Sequence, residues 1–219
     1  MAGFDGEPER AWDEYDWERF LQQQDSKTEK YMELLEKYLD DPRRDEIIAQ
    51  EMGWTHLQDS SGWNDEADAI AENGDEEGDG FEAADDAESP FESFENHALY
   101  RAAFALTVWI DELFETDASL QNEPAAVRLA TQSALASAKL AAALSDNDAD
   151  ELGMTIAYLK RALKAITDSL EAASELTADK QITRAQQSVL QQRLFQVRDG
   201  IITLMGEYRG EWRRRFGNR

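Results

Sequence analysis

Apolar residues recur along most of the chain at steps of three and four, the period that places them on one face of an α-helix. The most regular run lies within residues 147–175 and alternates four-residue and three-residue steps. Its members are Leu152, Ile156, Leu159, Leu163, Ile166, Leu170 and Ala173. The period-2 alternation of β-branched residues that marks strands is missing from the sequence. The pattern predicts an all-α fold.

The second half of the chain, residues 89–217, predicts four helices of this kind. Their expected ranges are 90–116, 124–145, 147–175 and 178 to 209 or beyond. The first is apolar around most of its circumference, so we expect it to be the most buried. The fourth repeats the 4-3 spacing. Because the connections are short, neighbouring helices should run antiparallel, which predicts an up-and-down four-helix bundle with coiled-coil-like packing.

Prolines and capping residues mark where these helices should begin. Pro90 follows Ser89 and precedes Glu92, a full capping box, and Pro124 follows a polar pair. Upstream, Ser26 and Glu29 form a second capping box and predict a helix that starts there. Pro42 predicts a further short helix ending near Gly53.

Residues 9–53 are therefore expected to form an N-terminal helical module. One continuous helix over residues 9–40 is an alternative to the start at Ser26. In that register Trp17 and Phe20 belong to the apolar stripe, whereas Trp12 and Tyr15 point elsewhere. Whether this module packs on the bundle is open at the sequence level.

A strongly acidic segment lies between the N-terminal module and the predicted bundle in the sequence. The chain has a net charge of −25, and residues 45–100 contain 18 acidic residues and no Lys or Arg. Residues 54–88 combine these acids with glycine and few large apolar groups, the composition of a disordered linker. The negative electrostatic potential of these carboxylates repels nucleic-acid phosphate and anionic lipid. We therefore expect the partner to be another protein with a basic surface, and neither nucleic acid nor membrane.

Cysteine content and the absence of long apolar segments bear on where in the cell the protein is expected. The chain has no cysteine, which excludes disulfides and cysteine-based sites and favours an intracellular location. Its first ten residues lack the basic and apolar regions of a secretory signal. The longest apolar run, residues 102–110, is too short for a bilayer, which requires about 20 residues. We expect a cytoplasmic protein.

Residues for catalysis or metal binding are scarce. The chain has two histidines, neither in a Glu-x-x-His pair, and no nucleotide-binding glycine motif. We expect no catalytic residues, no metal, no cofactor and no enzymatic activity.

Two regulatory alternatives remain. The segment Asp75 to Asp86 approximates the spacing of an EF-hand calcium loop, although loop position 3 carries Glu instead of Asp or Asn and loop position 12 carries Asp instead of Glu. Whether it binds calcium is open. The segment around His97 resembles the H-x-L-K-G motif of histidine phosphotransfer domains, with Tyr100 and Arg101 in place of Lys and Gly. The resemblance implies a regulator that carries a phosphoryl group on histidine.

The basic C-terminus supplies the remaining candidate residues. Residues 209–219 hold five arginines and one acid, with two aromatic residues among them. We expect this end to pair with the acidic segment or with the N-terminal helix. The candidate partner-binding residues are Trp12, Tyr15, Trp212, Arg213, Arg214, Arg215 and Phe216.

The sequence thus predicts a non-enzymatic interaction or adaptor protein. The alternatives are a calcium-responsive or phosphotransfer regulator, and an acidic mimic of nucleic acid that binds a basic protein. The oligomeric state is open.

Overall fold

A computed structural model describes residues 11–54, 94–117, 119–145 and 151–217. These ranges contain six α-helices and no strand, so the all-α prediction is confirmed for them. The helices are α1 (Glu14–Lys37), α2 (Arg44–Met52), α3 (Ala98–Thr116), α4 (Pro124–Ser145), α5 (Leu152–Ala178) and α6 (Arg184–Phe216).

The start of α1 lies at Asp13, whose carboxylate accepts hydrogen bonds from the backbone N–H groups of Tyr15 and Asp16 at 2.8 and 2.9 Å. This cap satisfies two of the donors that a helix leaves free at its first turn. The helix then continues without interruption through Ser26. The predicted start at Ser26 is therefore wrong, because a capping sequence inside a helix does not end it. The alternative of one continuous helix is confirmed, although the helix spans Glu14–Lys37 and not the predicted 9–40.

The second helix follows the prediction closely. α2 begins two residues after Pro42 and ends at Met52. Gly53 follows in the left-handed region at φ 73°, and its N–H returns to the carbonyls of Ala49 and Gln50. Glycine adopts this conformation at no steric cost, which explains the sharp end of the helix.

Some of the predicted starts of the later helices agree with the structure and others do not. α4 begins at Pro124 as expected. α6 begins after Thr183 rather than at residue 178, because α5 extends to Ala178. Thr183 forms a reciprocal capping box with Gln186, a signal that the apolar spacing alone does not contain.

The capping box at Ser89 lies outside the described residues, but the predicted starts at residues 90 and 147 are wrong. α3 begins at Ala98 after His97, and α5 begins at Leu152 after Glu151.

The four C-terminal helices share one apolar core. Each packs against its neighbour in sequence, and α3 also packs against α6. The core includes Leu106, Leu129, Leu159 and Leu194, all fully buried. The expectation that the first of these helices is the most buried is wrong. α5 has thirteen buried residues and α3 has five. Both helices pack on α4 and α6, but the contacts of α5 are more extensive, and one face of α3 is exposed.

The described residues divide into two compact units, with the boundary inside α1. Residues 11–19 belong with residues 94–217, and residues 20–54 form the other unit. In the smaller unit Leu34 and Ile48 are buried, and the ring of Tyr31 lies 5.7 Å from that of Trp54. Phe20, expected in the apolar stripe, is 37% exposed.

Within the described ranges, none of the helices combines the length and the apolar content that crossing a bilayer requires. Residues 55–88 of the predicted linker, and with them the calcium-like segment Asp75 to Asp86, lie outside the described residues.

Candidate functional site

The first turns of α1 are joined to α5 and α6 by two carboxylate–guanidinium pairs. Both oxygens of Glu14 accept hydrogen bonds from Arg209, each at 2.9 Å. Both oxygens of Glu18 accept from Arg161, at 3.1 and 3.3 Å. Bidentate pairs fix orientation as well as distance. They hold residues 11–19 in one register against the rest of the larger unit.

In the first of these pairs the carboxylate is almost buried, whereas the side chain of Arg209 is partly exposed. Glu14 is 9% exposed, and Lys160 Nζ lies 3.8 Å from the same carboxylate. The same lysine lies 4.4 Å above the ring of Tyr15. The hydrogen bond to Glu14 raises the pKa of Arg209 above its usual value. The predicted pairing of the basic C-terminus with the N-terminal helix is confirmed for Arg209.

Gly153 allows this close approach. A Cβ atom at this position would overlap the backbone carbonyl oxygen of Trp12 and would lie 2.8 Å from Cδ1 of Trp17. The indole of Trp17 is half-buried and contacts Trp12 edge-on, with ring centroids 5.0 Å apart. No sequence pattern pointed to Gly153 or to the Glu14–Arg209 pair, whose members are 195 residues apart.

A cleft of about 190 Å³ lies beside the Glu14–Arg209 pair. Its lining residues are Asp13, Glu14, Tyr15, Ile156, Arg209, Trp212 and Arg213. Three of the predicted partner-binding residues (Tyr15, Trp212 and Arg213) therefore meet here. Tyr15 is 64% exposed. Nε1 of Trp212 is buried and has no hydrogen-bond acceptor within the described part of the chain.

The other predicted partner-binding residues lie outside this cleft. Trp12 is 46% exposed. The ring of Phe216 lies 5.8 Å from that of Trp212. Arg214 and Arg215 both pair with Glu211 one turn earlier on α6. The three consecutive arginines point in different directions, as the helical period requires.

A second candidate surface lies in the smaller unit, on the C-terminal half of α1 and the turn after it. Its apolar residues are Met32, Leu35 and Leu39, at steps of three and four. Glu29, Glu33 and Glu36 border them. Met32 is 57% exposed and Leu39 65% exposed. We call these six residues the acidic-rimmed groove.

His97, the candidate phosphoryl carrier, is the N-cap of α3. Its Nδ1 accepts a hydrogen bond from the N–H of Leu99 at 3.2 Å, and the side chain is half-buried. One ring nitrogen is thus engaged in capping the helix, a role that the motif comparison did not anticipate. Across the described ranges, no group of three or more histidine or acidic side chains is placed to hold a metal ion.

Comparisons with protein-family models, with curated proteins and with solved structures find no match to this chain. The candidate sites are therefore defined by the geometry and charge of the chain's own residues.

Proposed function

We propose that this chain is a non-enzymatic protein–protein interaction protein and that its acidic-rimmed groove binds a basic amphipathic helix of a partner. In this proposal α3 to α6 form an up-and-down four-helix bundle over residues 89–217. The helical module that presents the groove comprises residues 20–53, since residues 11–19 belong with the larger unit. The acidic residues 54–88 join the module to the bundle. The bundle is the body of the molecule and the module presents the binding surface.

The observation that carries the proposal is the exposure of the groove. Isolated exposed apolar residues are common on proteins, but a contiguous patch on one helix face marks an interaction site. Met32 and Leu35 on α1, with Leu39 in the turn after it, recur at the spacing with which a helix presents anchors to another. A partner helix would remove these side chains from water.

The charge around the groove indicates the kind of partner. Three glutamates border the apolar residues, and the whole chain has a net charge of −25. Complementary charge steers encounter and disfavours wrong partners. A helix with lysine or arginine on the flanks of its apolar face fits this arrangement, whereas an acidic helix would be repelled.

The experiment uses an amphipathic helical peptide built from leucine and lysine as the probe. Its binding to the full chain is followed by fluorescence anisotropy at low and high salt. We expect saturable binding that Met32→Asp weakens by about tenfold or more, because one buried apolar anchor contributes on the order of 1–3 kcal/mol. Binding should also weaken as salt rises, since the glutamates act through charge.

The matched control is Val127→Asp, which changes a residue of similar exposure on α4, 49%, by the same charge. Nonspecific attraction of the peptide to acidic residues would strengthen with either added carboxylate. A Met32→Asp variant that binds the peptide as well as the original chain would contradict the proposal.

The cleft formed by Tyr15, Trp212 and Arg213 is proposed as a second contact with a partner. Its apolar walls suit an aliphatic or aromatic side chain. Arg213 lies at the surface of α6 and has no ion pair within the described ranges, so an acidic group beside that side chain would be favoured.

A further inference from the structure

The outward face of α3 has a row of exposed side chains along its length. The row consists of Arg101, Phe104, Val108, Glu112 and Glu115, at steps of three and four. Residues at these steps lie above one another on a helix surface. We call them the α3 stripe.

The centre of the stripe is apolar. Phe104 is 53% exposed, the most of any large apolar residue in α3 to α6, and Val108 is 40% exposed. The ring of Phe104 stacks on that of Tyr100 with centroids 6.1 Å apart, and Phe94 meets Tyr100 edge-on at 4.9 Å. These contacts hold Phe104 in place while its outer face stays in water.

The ends of the stripe have opposite charges. Arg101 lies at the N-terminal end, and Glu112 and Glu115 lie at the C-terminal end. None of the three side chains forms an ion pair within the described residues, although such pairs occur elsewhere on the same unit. The stripe therefore runs from positive through apolar to negative.

We propose that the α3 stripe is a homodimer interface in which α3 of two copies pair antiparallel about a two-fold axis. With the axis near the midpoint between Phe104 and Val108, Phe104 of each copy faces the apolar centre of the other. Arg101 of each copy faces Glu112 of the other, on the same flank of the helix pair. A two-fold axis makes both contacts occur twice.

The order of charges along the α3 stripe favours an antiparallel pair of copies over a parallel pair and over an unrelated partner. A parallel pair of α3 helices would place Arg101 beside Arg101 and Glu112 beside Glu112, which is repulsive. An unrelated partner would need a matching negative-apolar-positive order, whereas a second copy supplies it by symmetry. The interface uses a different unit from the acidic-rimmed groove, so this proposal and the proposed function fail or hold independently.

The first test is sedimentation velocity on the full chain over a range of concentrations. A contact centred on one helix pair belongs to the small interfaces, below about 1,200 Å², so we expect a dissociation constant in the micromolar range. Phe104→Asp should leave the chain monomeric at all concentrations. Ile202→Asp, at a similarly exposed site on α6, 47%, should leave the dimer unchanged.

The second test exchanges the charges. Arg101→Glu alone and Glu112→Arg alone should each weaken the dimer by about tenfold, since each places like charges together twice. A mixture of the two single variants should form a heterodimer, because the two acids of one variant at positions 101 and 112 then face the two arginines of the other. The double variant, with both changes in one chain, should dimerise like the original.

This design separates local pairing from overall charge. The two single variants shift the net charge in opposite directions, so a loss of dimer in both cannot come from overall repulsion. Circular dichroism spectra and melting temperatures equal to those of the original chain show that each variant is folded. A chain that stays monomeric at several hundred micromolar would overturn the proposal. Single variants that do not associate when mixed would also overturn it, as would a dimer abolished by Ile202→Asp.

Discussion

Gly153 and Gly206 both lie inside helices, yet an added Cβ atom would meet different surroundings at each. At Gly206 of α6, no atom lies within 4 Å of that position apart from the two neighbouring residues and the local backbone of the helix itself. At Gly153 of α5 the space that a Cβ atom would take is already occupied by the backbone of Trp12 and the ring of Trp17. Local propensity favours alanine at both sites, but packing opposes it at only one.

We predict that Gly206→Ala and Gly153→Ala change stability in opposite directions. Gly206→Ala should raise the free energy of unfolding by about 0.5–1 kcal/mol through lower backbone entropy of the unfolded chain. Gly153→Ala should lower it by about 1–2 kcal/mol, since the clash with a backbone atom outweighs that gain. Urea unfolding followed by circular dichroism measures both. An equal gain at the two sites would mean that Trp12 does not approach α5 as described.

At the scale of one element, α6 shows how a helix start is determined by side chains outside the apolar pattern. The Thr183 hydroxyl accepts a hydrogen bond from the N–H of Gln186, and the Gln186 side chain accepts one from the N–H of Thr183. Elsewhere in α6, the Thr203 hydroxyl bonds only to a carbonyl within the helix. Thr183 accepts a hydrogen bond from a backbone N–H group that the first turn of a helix leaves unpaired, whereas Thr203 does not.

We therefore predict that Thr183→Ala lowers the free energy of unfolding by about 1 kcal/mol, the usual cost of a lost N-cap. Thr203→Ala is the matched control and should be neutral or slightly stabilising, since alanine has the higher helix propensity. Thermal melting of the two variants measures the difference. Equal melting temperatures would argue against a start of α6 at Thr183.

At the scale of the whole molecule, the larger unit draws its core from α3 to α6 and the turns between them. Every buried residue of that core lies between Leu99 and Met205. The N-terminal residues of the same unit contribute charged contacts through Glu14 and Glu18. Trp12 and Trp17 lie against Gly153 at the edge of that core. The core should thus form without them and be stabilised by them.

We predict that a fragment of residues 94–219 folds and melts in one cooperative transition at a lower temperature than the full chain. The loss should correspond to roughly 2–4 kcal/mol, the sum of two partly buried charged pairs. The full-length double variant Glu14→Ala, Glu18→Ala should show a similar loss, measured by circular dichroism. A fragment without a cooperative transition would show that the N-terminal residues belong to the core.

Parts of this molecule followed from the sequence alone. The helical period of apolar residues indicated the all-α class, and Pro124 and Gly53 indicated where α4 begins and where α2 ends. These features depend on residues within a few positions of each other, so the sequence contains them. The periodicity also identified core residues such as Ile156, Leu159 and Ile166.

Only the tertiary structure decided which apolar residues are buried and which charges meet. Phe104 and Leu106 are both strongly apolar in the sequence, but one is half-exposed and the other fully buried, because α4 and α6 cover only part of α3. In the sequence nothing distinguishes Glu14 from the acidic residues near it, but in the folded chain it pairs with Arg209 of α6. Burial and pairing depend on contacts between segments far apart in the chain, and local periodicity carries no information about them.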